Sequence, residues 1–244
     1  MGQQQSVTGK TLVVFGDSWP AGAELSNPMD AFPFQLGTLL NMTTLNQACP
    51  ATSIDHAVFQ FLTFFKNYSK PSWPWSGPGW FNQRRQTEYV VLFCLTGKSR
   101  SWRLTQSGTE ELHPRSKTPQ SVNYYKYIQS DELDDFNRIK NILLVQEICK
   151  KYNTPCYFVS NWETVPQFHM IDSELLYSKT LVEILDVPTM ELDKRGISTC
   201  DTLYSLVELF EKSEYIVPNV SHPNIKGHAK IAEELFKWLS QSTQ

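Results

Sequence analysis

The stretch Thr11-Leu-Val-Val-Phe15-Gly16-Asp17-Ser18-Trp19 carries the reading of this chain. Thr11 to Phe15 is a short, β-branched apolar run that ends at a glycine. That pattern predicts a strand buried on both faces, as in a parallel sheet. A serine placed directly after such a strand, on a glycine-assisted turn, points its hydroxyl into the mouth of the sheet. Serine is a weak nucleophile until a neighbouring base takes its proton. The plainer alternative is that Asp17 and Ser18 only cap the next turn.

Working outward, the pattern predicts strands at 43–48, 88–96 and 156–160, of which Tyr89-Val-Val-Leu-Phe-Cys-Leu95 is the strongest buried-strand signal. Helices are predicted at 31–41 and 53–68, with Ser53 as N-cap of the second. A long helix over 131–152 is predicted to bury Leu133, Phe136, Ile139, Leu143, Leu144 and Ile148, with acids first and lysines last. A terminal helix over 225–239 would bury Ile231, Leu235, Trp238 and Leu239. Residues 99–119 read as polar and irregular. A helix near 173–179, a strand near 181–185 and a helix over 203–210 complete the pass. Strands alternating with helices of ten or more residues predict parallel β-α-β crossovers with both sheet faces covered. Sites in such sheets form outside the carboxyl ends of the strands.

Composition narrows the function classes. The 244 residues are 41% hydrophobic and 19% charged, which excludes a disordered chain. With 22 Lys+Arg against 25 Asp+Glu the net charge is -3, so there is no electrostatic signature of nucleic-acid binding. Five scattered cysteines without CxxC spacing argue against a zinc site or a disulfide framework and suit a reducing, cytoplasmic compartment. Cys94, inside an apolar run, reads as a small buried hydrophobe. No metal or cofactor is expected, because phosphate-cradling loops, HExxH and nucleotide fingerprints are absent. No apolar run reaches the ~18 residues of a membrane span, and no signal peptide is expected. Residues 1–10 read as a disordered tail preceding one domain over 11–244. Met1-Gly2-Gln-Gln-Gln-Ser6 fits the loose myristoylation pattern at Gly2 as an alternative to a plain tail.

The far end of the chain supplies a base. Asn219-Val-Ser-His222-Pro-Asn-Ile-Lys-Gly-His228 places His222 just ahead of a helix, where a loop imidazole can face Ser18 across the sheet top. His228 falls inside the helix and reads as packing or capping.

Together, Gly16-Asp17-Ser18 and Asn219-x-x-His222-Pro-Asn-x-x-Gly-His228 resemble the first and last blocks of the SGNH (GDSL-type) serine hydrolases. The resemblance implies a three-layer α/β/α, flavodoxin-like parallel sheet with Ser18 as nucleophile and His222 as general base. It also implies an acyl-enzyme, an oxyanion hole and a small-molecule or carbohydrate ester as substrate, O-acetyl groups among them. The chain departs from the family in three places. The usual aspartate is Asn219, which can orient an imidazole but cannot offset its charge, a change worth up to ~10⁴ in rate in a Ser-His-Asp triad. Another acid, such as Asp172, is an alternative. Ala48 stands where the second block supplies a glycine, leaving its backbone N–H to join that of Ser18 in holding the oxyanion. The third block is degenerate, and either Thr96 or Ser99 replaces its asparagine, with Thr96 favoured by its place at the strand end.

A divergent branch of the family, common in phage and large-virus genomes, resembles this stretch with Thr or Ser followed by Arg, which assigns Arg100 to an anionic or carbohydrate group. Asp17 and Trp19 are also expected to contact substrate. The loop Trp73-Pro-Trp75-Ser-Gly-Pro-Gly-Trp80 is either a lid, a sugar-stacking wall or a pinned surface loop. The rival to an esterase, or to an acyltransferase on the same fold, is a weakened SGNH-like domain that binds, or builds a larger assembly such as a virion.

Overall fold

The computed structural model describes residues 9–69, 88–105, 108–112, 116–187, 213–217 and 222–242. Its centre is a parallel sheet of β1 (Lys10–Phe15), β2 (Thr43–Asn46), β3 (Glu88–Leu95) and β6 (Cys156–Ser160) in the order β2-β1-β3-β6. In register, Val13 lies opposite Leu45 and Val91, and Phe93 lies opposite Phe158. This is the flavodoxin-like order among the described strands. The chain reverses direction of travel across the sheet between β1 and β3, and the crevice there is the usual ligand position.

Alternation along each strand divides the core into two layers. Leu12, Val14, Leu92, Cys94 and Val159 face α2 (Phe32–Leu39), α6 (Leu181–Ile184) and the terminal helix α7 (Ile225–Ser242). Val13, Phe15, Val91, Phe93 and Phe158 face α3 (Ile54–Ser69) and α5 (Asp131–Lys151). The result is the three-layer α/β/α arrangement that the alternating pattern requires, because a strand buried on both faces needs a helix layer on each. Burial pushes the Cys94 thiol up, with Asp17 adding to it, so Cys94 stays protonated as a packing group.

Several local expectations are corrected. Within the stretch expected to be irregular, β4 (Ser101–Thr105) and β5 (Gly108–Leu112) pair antiparallel. The pair is secured by tertiary contacts: Trp102 stacks on His56 of α3 at 5.4 Å, and Glu111 lies 2.7 Å from His56 Nδ1. A further helix, α4 (Pro119–Tyr127), follows it. Residues 181–184 are helix rather than strand, because Thr180 and Glu183 form a reciprocal capping box. The helix near 173–179 shrinks to one 3-10 turn over Ser173–Leu175.

The long helix α5 exists as expected, but its buried stripe differs. Phe136 is 63% exposed, whereas Ile142, Val145 and Cys149 are buried beside Arg138, Asn141 and Gln146. The polar members are buried because each has a partner: Arg138 donates to Ser160 Oγ at 2.6 Å, and Gln146 donates to the Met170 carbonyl at 3.0 Å. The expected tail (beyond its last two residues), the aromatic loop, the helix over 203–210 and Asn219 lie outside the described residues.

Candidate active site

The loop after each central strand contributes to one cluster. Gly16 ends β1 where its missing side chain matters: a Cβ there would sit 2.7 Å from Pro20 Cγ and 2.8 Å from Cys94 Cβ. That close approach lets the chain fold directly into α1 (Ser18–Ala21). The loop after β2 clasps the same turn. Cys49 N–H and the Thr52 hydroxyl both donate to the Gly16 carbonyl, at 3.0 and 3.1 Å, and Asn46 Nδ2 donates to the Pro20 carbonyl at 2.7 Å.

Asp17 is 1% exposed and joins three strand ends. Its Oδ1 accepts from Trp19 N at 3.1 Å and from Asn161 Nδ2 at 2.8 Å; its Oδ2 accepts from the Thr96 hydroxyl at 2.6 Å. Arg100 Nη1 lies 3.7 Å from Oδ2. Thr96 directly follows β3 and Asn161 directly follows β6, so the carboxylate ties together the ends of β1, β3 and β6. Asp17 is also the N-cap of α1. The capping role and a nucleophile role for Ser18 therefore coexist in one turn.

His222 arrives from the opposite side. The two-residue strands β7 (Ile216–Val217) and β8 (His222–Pro223) pair antiparallel, with Val217 opposite His222. Asn224 secures this hairpin to α7: its N–H donates to the Tyr215 carbonyl at 2.9 Å, and its Oδ1 accepts from Gly227 N at 3.0 Å as a helix cap. Gly227 is required there, since a Cβ would lie 2.2 Å from the Tyr215 carbonyl oxygen. His228 Nδ1 accepts from Phe32 N at 3.1 Å, which anchors α7 to α2 and fulfils the expected packing role.

This scaffold brings Ser18 Oγ and His222 Nε2 to 2.9 Å, across 204 positions of sequence. Burial lowers the His222 pKa; Asp17 and Glu24 pull it back up, and Arg100 pushes it down. The imidazole is therefore neutral near pH 7, so Nε2 can accept the serine proton while Nδ1 carries the other. Nδ1 is buried and without a hydrogen-bond partner among the described residues, with Glu24 Oε1 3.8 Å away. Chemically, the arrangement can move a proton from Ser18 to His222 at the carboxyl edge of the sheet. No group of metal-ligating side chains occurs among the described residues.

The remaining expected site residues fall as follows. Trp19 is 1% exposed and packs in the core against Trp162 at 4.9 Å, so it and the buried Asp17 are internal supports and not substrate contacts. The Ala48 amide donates to Asn46 Oδ1 at 3.2 Å, and the Thr96 hydroxyl is given to Asp17, so two of the three expected oxyanion donors have partners already. Arg100 does reach the cluster, with Nη1 buried and short of a hydrogen-bond partner. Asp172 is not the supporting acid. It is exposed, beginning the 3-10 turn, and its amide donates to Gln146 of α5. Sequence reasoning missed Glu24, Asn46 and Asn161. Asn161 had a signal, since it follows a buried strand as Asp17 and Thr96 do.

The fold and site thus define an α/β protein with a serine–histidine pair at the switch point of a parallel sheet. No protein-family model matches the chain, and neither does any curated protein. Among solved structures, the psychrotrophic esterase EstA from Pseudoalteromonas sp. is similar at 12% identity and a TM-score of 0.45, covering 96% of this chain and 98% of its own. A member of the lipolytic protein G-D-S-L family from Veillonella parvula is similar at 14% identity and a TM-score of 0.43, covering 93% and 97%. At such values the likeness carries no chemistry, which rests on the geometry of the site.

Proposed function

We propose that this chain is a cofactor-independent serine esterase of the SGNH type. The observation that carries the reading is the 2.9 Å approach of Ser18 Oγ to His222 Nε2 at the sheet's carboxyl edge. The resemblance of the first and last sequence blocks supports it independently.

In the proposed reaction Ser18 Oγ bonds to the ester carbonyl carbon as its proton passes to His222 Nε2. The tetrahedral intermediate then collapses: the bond to the alcohol oxygen breaks, and His222 returns the proton to that oxygen. Water repeats the sequence on the acyl-enzyme, releasing the acid and restoring Ser18. The developing oxyanion falls to the Ser18 amide and the Arg100 guanidinium. The Ala48 amide and Thr96 hydroxyl join only by exchanging their present partners. Small acyl esters, including O-acetyl groups on carbohydrate, are the proposed substrates.

The specific observation favouring a weakened, binding-only domain is that those two oxyanion donors are engaged elsewhere. Hydrolysis of p-nitrophenyl acetate by wild type and Ser18→Ala, with fluorophosphonate labelling, separates the two. The esterase reading expects labelling at Ser18 and a rate loss of roughly 10³-fold or more on substitution. Equal rates, or no labelling of folded wild type, would refute it in favour of a binding domain.

A further inference from the structure

We propose that Glu24, on the same turn as the nucleophile, is the acid that orients the His222 imidazole. It acts as a positioning residue for the Ser18–His222 pair, and the assignment rests on the esterase reading above. Three observations lead there. With Nε2 accepting from Ser18, the ring proton sits on Nδ1, and Nδ1 is a buried donor with no hydrogen-bond partner among the described residues. Buried donors are seldom left that way. Glu24 Oε1 is 3.8 Å from it, and Glu24 has no other polar partner among the described residues.

The backbone is shaped to bring it there. Gly22 and Glu24 both take left-handed conformations, φ 72 and φ 71, and Ala23 N–H donates to the Ser18 carbonyl at 3.0 Å. A left-handed glutamate is a strained choice where a glycine would be free, and such strain concentrates at functional positions. The four-residue α1 then holds nucleophile and acid in a fixed relation, six positions apart. The Glu24 side chain is 48% exposed and so has room to move, and an approach from 3.8 Å to about 2.8 Å would make a charge-assisted hydrogen bond.

Among the described residues, the charged groups that face His222 are Asp17 after β1, Glu24 after α1 and Arg100 before β4; His228 of α7 feels its charge as well. Of these, Asp17 spends its oxygens on Thr96, Asn161 and Trp19, which leaves Glu24 to serve Nδ1. Glu24 then fixes the productive tautomer and offsets the imidazolium charge as the serine proton arrives. Because it is half in water, its effect falls short of the ~10⁴ of a buried triad acid.

The test compares wild type with Glu24→Gln, Glu24→Gly (a residue at home in the left-handed turn) and Asn219→Ala, all as full chains. Three readouts apply: p-nitrophenyl acetate kinetics, the pH profile of kcat/KM, and an NMR titration of the His222 ring. Both Glu24 variants are expected to lose kcat by about 10- to 100-fold with KM little changed. Their acid limb and ring titration should move to lower pH, because the carboxylate favours the protonated ring. Wild-type kcat with an unmoved ring titration in both Glu24 variants would overturn the assignment. So would a loss confined to Asn219→Ala. A wild type that neither turns over ester nor reacts with fluorophosphonate instead refutes the esterase reading, and the ring titration still decides the Glu24–His222 contact.

Discussion

Replacing Asp17 with alanine tests whether one buried carboxylate holds the strand ends in place. Three donors would lose their acceptor at once: Trp19 N, Asn161 Nδ2 and the Thr96 hydroxyl. The buried Arg100 Nη1 would lose its nearest counter-charge, 3.7 Å away. A buried polar group left unpaired costs about 1–3 kcal/mol, and breaking a buried ion pair about 3–5 kcal/mol. Thr96 can turn its hydroxyl elsewhere and the Arg100 side chain retains some water contact, so the lower sums apply. We expect a net loss of about 3–5 kcal/mol.

Asp17→Asn is the informative control. One amide oxygen still accepts from Trp19 and Asn161, but the amide nitrogen then faces the Arg100 guanidinium donor against donor, and the Thr96 hydroxyl must turn to accept. It should cost about 1–2 kcal/mol. Urea titrations followed by circular dichroism read both variants, with an unchanged slope confirming that only stability moved. For a chain of this size the alanine variant should melt about 8–15 °C lower. Stability within about 1 kcal/mol of wild type in Asp17→Ala would refute the view that this carboxylate organises the site.

Two further outcomes follow from the same scaffold. Burial depresses the His228 pKa to about 4, with the His222 charge adding to it. The unfolded ring, near 6.5, therefore binds a proton the folded one refuses, so His228 lowers stability as pH falls from about 6.5 to 4, by about 3 kcal/mol in full. Urea midpoints at pH 7 and 4.5 should converge in His228→Gln, and equal acid sensitivity in wild type and variant would contradict this. Gly16→Ala places a methyl 2.7 Å from Pro20 Cγ and 2.8 Å from Cys94 Cβ, for a cost of about 1–3 kcal/mol. It should also slow fluorophosphonate labelling of Ser18 by displacing α1; an unchanged labelling rate and urea midpoint would show the turn to be more compliant than its packing implies.

The central architecture was legible in the chain because buried strands announce themselves locally. Tyr89 to Leu95 and Thr11 to Phe15 are apolar at every position or nearly so, which only a sheet covered on both faces tolerates. The pairing of β4 with β5 was not legible, because Trp102 and Glu111 are held by His56, a partner some fifty positions away. The helix at 181–184 had a local signature in Thr180 and Glu183 that hydrophobic pattern alone concealed. On α5, Arg138 is buried because Ser160 at the end of β6 and Glu163 just after it accept from its guanidinium, partners no helical periodicity reveals.

From residue order alone came the strand–turn–serine at one end, the histidine before a helix at the other, and the layered parallel sheet between them. Such features depend on neighbours within a few positions, where backbone preference and periodicity act. The 2.9 Å meeting of Ser18 with His222, the burial of Asp17 and Trp19, and the approach of Glu24 to Nδ1 were decided only in three dimensions. The first two depend on where separate strands end, and the approach of Glu24 depends also on the left-handed turn at Gly22 and Glu24.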